Sequence, residues 1–227
     1  MSFQQTEPGC NKQLTFDPVT VRDLLTGPYN ITTAAKQYTT RWPPKPAFYR
    51  LRQTGYKNGL VTYDIEFCEM LRKPSTEILQ AFRRKGYEIM FSFVTSTHNQ
   101  RIACVNIRNP IHQPPKFTIL YSQCNCTDLG WTLPELLAIC QTLYCDLVAY
   151  DYSGYGQSDG RPKESNVYCD IAAVYDFAVD KLLVPQESII AWGFSLGSAA
   201  SIDLACRRPL KALILHSTFP SALRIAF

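Results

Sequence analysis

The chain of 227 residues has no run approaching the ~18 apolar residues that a membrane-spanning helix needs, so a transmembrane protein is not expected. Its first thirty residues hold no apolar stretch behind a basic start, which argues against a secretory leader. Asn30-Ile-Thr and Asn125-Cys-Thr then read as chance matches to the glycosylation triplet. Histidine is scarce: three in all, scattered, with no C-x-x-C anywhere, so zinc-ligand spacing is missing and neither a metal nor a nucleotide cofactor is implied. Cysteine is not scarce, but the nine are an odd number and several fall inside apolar periodic segments, where a free thiol packs as a small hydrophobe. The expectation is reduced thiols in a cytoplasmic protein. Charge of one sign is lacking too, with 23 Lys+Arg against 19 Asp+Glu and a net of +4. The one local bias is residues 41–90, with ten basic and five acidic side chains. That segment is read as an ordinary solvated surface, with peripheral contact to an anionic membrane as the alternative. Acids interrupt the basic residues and no recognition motif accompanies them, so nucleic-acid binding is not expected.

Three zones follow along the chain. Residues 1–45 are polar and end in the Pro-rich Arg41-Trp-Pro-Pro-Lys-Pro46, an N-terminal extension. Residues 46–90 read as a mixed basic segment leading into the domain, with a short helix starting at Ser75. Residues 91–227 form the domain itself. There, Tyr87–Thr95 and Arg101–Ile107 flank a polar pentapeptide as a hairpin. Phe117–Ser122, Leu147–Tyr150, Ser188–Trp192 and Ala212–Leu215 are short and apolar throughout. They alternate with helical stripes around Leu133–Leu143, 165–183 and Leu196–Arg207. Such alternation predicts a mostly parallel sheet covered on both faces by helices, an α/β fold.

Between the third of these strands and its helix stands Gly193-Phe-Ser-Leu-Gly197, a G-x-S-x-G. At a strand-to-helix junction this pattern makes a sharp turn that lifts the Ser195 hydroxyl to the top of the sheet as a nucleophile. Gly193 and Gly197 leave room for close strand–helix approach. Leu196 would offer its N–H to an oxyanion, and the loop after the earlier strand, Ser122-Gln-Cys-Asn125, would supply a second donor. Asp151 precedes Ser195 and is read as structural, because the order on this kind of sheet is Ser, then acid, then His.

Thr118-Ile-Leu-Tyr-Ser122, Asp128-Leu-Gly130, Asp151-Tyr-Ser-Gly-Tyr-Gly156, Gly160-Arg-Pro162, Asp170-Ile171, Gly193-Phe-Ser-Leu-Gly-Ser198, Asp203-Leu-Ala205, Leu215-His-Ser217 and Ser221-Ala-Leu-Arg224 occur in one order. Together with Trp42-Pro-Pro-Lys-Pro46 they resemble the α/β-hydrolase domain-containing protein 17 family, densely over 115–227 and loosely over 40–114. The resemblance implies an α/β-hydrolase fold and a membrane-associated serine hydrolase that removes palmitate from protein cysteines by thioester hydrolysis. Ser195 matches its nucleophile, S-acylated proteins would be the substrates, and the cytosolic face of plasma or endosomal membranes the location.

The chain also departs from that family. The family reads His-Gly-Asn where this chain reads Gln123-Cys124-Asn125. A Cβ at Cys124 is expected to strain a loop that needs positive φ and to weaken the second oxyanion donor, a loss worth ~10²–10³ in rate. Only Cys10 stands where the family has an acylated cysteine cluster, so anchoring by it would be marginal. Only 32 residues follow Ser195, and the triad acid and His of the family have no counterpart among them. Asp203 is expected to point away from the sheet top, and His216 matches a strand-end His-Ser instead. The expectation is a hydrolase fold incomplete at its C-terminal end, a fragment or shortened splice form, inactive as it stands. The alternatives are a non-catalytic remnant that binds acyl chains or partners, and a lipid or small-ester hydrolase on the same fold.

Overall fold

In the computed structural model, residues 43–57, 59–111 and 114–218 are described. Residues 1–42 of the extension, with Cys10 and Trp42, and the Ser221–Arg224 motif lie outside them. The elements run β1 (Tyr49–Lys57), β2 (Leu60–Phe67), α1 (Glu69–Arg84), β3 (Glu88–Thr95), β4 (Arg101–Arg108), β5 (Thr118–Ser122) and α2 (Leu129–Leu143). They continue with β6 (Asp146–Tyr150), α3 (Glu164–Asp180), β7 (Ile189–Phe194), α4 (Leu196–Arg207) and β8 (Ala212–His216). All the described strands join one sheet in the order β1-β2-β3-β4-β6-β5-β7-β8. The pairs from β1 to β4 and on to β6 are antiparallel, and β6-β5-β7-β8 are parallel. The apolar strands read from the sequence are those of the parallel half. β5 and β6 are buried at every position because helices cover both faces.

One core layer packs Leu79 and Phe82 of α1 and Leu133, Leu136 and Leu137 of α2 against Phe91, Ile107, Ile119 and Leu147. The other packs Ile171, Val174 and Tyr175 of α3 and Ala200 and Leu204 of α4 against Ile102, Leu120, Val148 and Ala191. Thus α2, which follows β5, and α4, which follows β7, lie on opposite faces although their strands are neighbours. The carboxyl ends of β5 and β7 are therefore where connections switch sides, the usual place for a ligand on such a sheet.

Residues 46–90 contribute β1, β2 and α1 to this same sheet and core, so no structural boundary falls near residue 91. The α1 helix begins at Glu69, six residues before the expected start at Ser75, and carries Pro74 inside it. Proline there removes one hydrogen bond, to the residue four earlier. The apolar face of Leu71, Ile78, Leu79 and Phe82 packed on the sheet outweighs that loss. Among the described residues no helix is long and apolar enough to cross a membrane.

Candidate functional site

Ser195 stands between β7 and α4 with φ 52° and ψ −109°, a backbone conformation that side-chain-bearing residues seldom adopt. Its two flanking glycines are sterically required. A Cβ on Gly193 would lie 2.3 Å from the Gly197 carbonyl oxygen, and one on Gly197 would lie 1.9 Å from the Ser122 carbonyl oxygen at the end of β5. The turn is held by three bonds. Ser195 N–H donates to the His216 carbonyl oxygen at 2.9 Å, Ser198 N–H to the Ser195 carbonyl at 2.9 Å, and Ser198 Oγ to the Gly193 carbonyl at 3.1 Å. Ser195 is half-buried. As the first residue of α4, Leu196 has an N–H with no intrahelical acceptor, pointing where the helix N-terminus favours negative charge.

The loop after β5 is fixed by Gln123. Its Nε2 donates to Asp151 Oδ1 at 2.6 Å, its Oε1 accepts from Thr132 Oγ1 at 3.3 Å, and its carbonyl accepts from Tyr152 OH at 2.6 Å. Buried glutamine thus ties β5, α2 and the loop after β6 together, a role invisible in the sequence. Cys124 is half-buried, and burial pushes its thiol up. The strain expected at Cys124 is not found. The loop's left-handed residue is Cys126, φ 64°, and Cys124 is not among the described residues with positive φ.

Asp151 is buried beneath the site. It accepts from Tyr49 OH at 2.5 Å, from Gln123 Nε2, and from Leu129 N–H at 3.0 Å. Burial first, and then the nearby Asp128 carboxylate, push it up to about 8. Asp128 caps α2 through Trp131 N–H at 3.2 Å and holds Phe48 N–H at 2.7 Å. These bonds give Asp151 the structural place expected of it, joining β1, the loop after β5 and the start of α2.

The other two candidates near Ser195 are committed elsewhere. The Asp203 carboxylate pairs with Arg207 one turn along α4. The His216 ring stacks on Phe194 with centroids 4.5 Å apart and planes at 22°, and its contact with Ser195 is through the main chain. Among the described residues, no imidazole or carboxylate hydrogen-bonds Ser195 Oγ, and no group of three or more His, Cys, Asp or Glu could hold a metal ion.

A family model described as the alpha/beta hydrolase fold matches residues 124–226. The alpha/beta hydrolase domain-containing protein aho-3 of Caenorhabditis elegans is 43% identical over 135 residues, covering 59% of this chain and 40% of its own. The human alpha/beta hydrolase domain-containing protein 17B is 38% identical over 136 residues, covering 60% and 46%. The mouse protein 17C is 36% identical over 140 residues, covering 62% and 42%. The chain therefore spans less than half the length of these curated relatives. Among solved structures, an alpha-beta hydrolase from Vibrio vulnificus superposes with a TM-score of 0.53 at 19% identity, over 68% of this chain and 52% of the other. The chain has the α/β-hydrolase fold, the matched family model spans Ser195, and the chain is similar over part of its length to the alpha/beta hydrolase domain-containing proteins aho-3, 17B and 17C.

Proposed function

We propose that this chain carries the nucleophile of a serine hydrolase that cleaves acyl thioesters, with S-acylated proteins as substrates at a cytosolic membrane face. The observation that supports this most is Ser195 at φ 52°, ψ −109°, between two glycines whose places no Cβ could share. In this reading Ser195 Oγ attacks the thioester carbonyl while an external base takes its proton and passes it to the departing thiolate, and the Leu196 and Cys124 N–H groups receive the oxyanion. The C–S bond then breaks, and water hydrolyses the acyl-serine. A thiolate leaves readily near neutral pH, so a thioester asks less of a general acid than an amide does. That suits a site in which no described acid or imidazole touches the serine. Basic residues of 41–90 are proposed as the peripheral membrane contact.

That no described imidazole touches the serine favours a second reading, a non-catalytic protein that binds acyl chains or partners. Hydrolysis of an S-acyl cysteine peptide, with and without added imidazole, separates the two. Under the hydrolase reading the chain shows little turnover alone, imidazole raises it as the external base, and Ser195→Ala abolishes that rise. Fluorophosphonate labelling in imidazole then maps to Ser195. An equal imidazole response in both proteins, with no labelling, leaves the binding reading.

A further inference from the structure

His98, in the β3–β4 hairpin loop, reaches across to α3. Its Nδ1 lies 2.8 Å from Asn166 Oδ1, and its Nε2 lies 3.6 Å from Cys169 Sγ. Asn166 decides the tautomer. Its Nδ2 donates to the Arg161 carbonyl oxygen at 3.0 Å, so the amide oxygen faces the ring and can only accept. His98 Nδ1 therefore carries the proton, and Nε2 presents its lone pair to the thiol. The hairpin end is itself fixed. Gln100 Nε2 donates to the His98 carbonyl at 3.0 Å, and Asn99, φ 55°, closes the turn through its N–H to the Ser96 carbonyl at 2.8 Å. Asn166 is buried, whereas Cys169 is half-buried and the contact between its sulfur and His98 is exposed.

We propose that Cys169 is a modification site, a thiol activated by His98 and positioned through Asn166, which reacts with low-molecular-weight disulfides. Carboxamide, imidazole and thiol in this order make the arrangement that generates a sulfur nucleophile. Cys169 Sγ attacks one sulfur of the disulfide while its proton passes to His98 Nε2. A new S–S bond forms as the old one breaks, and the departing thiolate takes the proton from the imidazolium. The disulfide is the oxidant, and one thiol is released. This in-line displacement at sulfur needs no oxyanion donor, which suits a pair at an open surface. The Asp170 carboxylate, held by Ser153 N–H at 2.7 Å and Ser153 Oγ at 2.9 Å, interacts with His98. Of the other charged groups nearby, Glu164 is engaged by Tyr168 OH, and Arg207 of α4 reaches α3 at the Tyr168 carbonyl.

The full chain treated with oxidised glutathione, with adducts timed at each cysteine by peptide mass spectrometry, provides the test. Cys206 is an exposed free cysteine near the end of α4 and serves as internal reference. Cys169 should react at least about a hundredfold faster than Cys206, the low end of what general-base assistance supplies. His98→Gln should bring the two rates together. Asn166→Leu should slow Cys169 and, in ¹⁵N spectra, shift His98 from the Nδ1–H towards the Nε2–H form, which a merely structural contact would not do. Equal rates in the unaltered chain, or a Cys169 advantage surviving His98→Gln, would overturn the proposal. An unchanged tautomer in Asn166→Leu would overturn the role of Asn166.

Discussion

At Ser195 the main chain stores strain that only a side chain with a task at that point would justify. A residue held at φ 52°, ψ −109° costs on the order of 1–3 kcal/mol unless it is glycine. Glycine would relieve that strain and lose ~0.5–1 kcal/mol to its greater freedom in the unfolded chain. Ser195→Gly should therefore stabilise the protein by ~1 kcal/mol, a rise of roughly 2–4 °C in Tm for a chain of this size. Ser195→Ala keeps the Cβ and the strain and should show no such gain. Thermal melts of the three proteins decide it, and a Gly variant no more stable than the Ala variant would mean that the turn is unstrained. The elbow was legible in the sequence because glycine spacing records steric necessity. Gln123 was not, because its three hydrogen bonds join residues far apart in the chain. Cys124 misled for a related reason: the pattern located the loop but not which residue of it turns left-handed.

Elements meet at Asp151, and their junction should be sensitive to pH. Folding raises this carboxyl to about 8, whereas the unfolded chain releases its proton near 4. The folded state thus keeps a proton that the unfolded state gives up, and stability falls as pH rises from about 4 through about 8. Asp170, raised by burial to about 6, adds to the fall in the lower part of that window. Asp151→Asn keeps an oxygen for Gln123 and Leu129 and offers an N–H to the Tyr49 hydroxyl oxygen. It should therefore fold, lose the slope above about pH 6, and exceed the parent at pH 8 by an amount on the order of a few kcal/mol. Denaturant midpoints measured across pH 4–8 would show this, and parallel curves for the two proteins would refute it. The elements themselves were unequally legible. Parallel strands buried on both faces read as apolar runs, and α4 matched its expected bounds because the elbow and its amphipathic stripe frame it. The β1–β2 hairpin was missed because exposed Arg50, Arg52 and Lys57 along β1 hide the alternation. Pro74 hid the first turn of α1 because proline is read as a helix boundary before packing is known.

On the scale of the whole molecule, the sheet is protected unequally at its two edges. β1 ends one side with charged residues, and Arg52 pairs across to Glu66 and Lys57 to Glu88. Long charged side chains of this kind discourage edge-to-edge pairing. β8 ends the other side among the described residues, pairs only with β7, and exposes Leu213, Ile214 and Leu215 at 38% each. Three adjacent apolar residues on alternating faces, with no strand partner along one side among the described residues, form a template for a further strand. The chain should therefore self-associate with rising concentration, through β8 and not through β1. A charge at the middle of the strand would penalise a second strand while leaving the β7 pairing intact, so Ile214→Lys should reduce association several-fold. Arg52→Ile, which removes a charge from the opposite edge, should leave the β8 contact in place and add association rather than replace it. Sedimentation velocity over a tenfold concentration range measures both variants. If Ile214→Lys sediments as the parent does, β8 is not the edge through which copies meet.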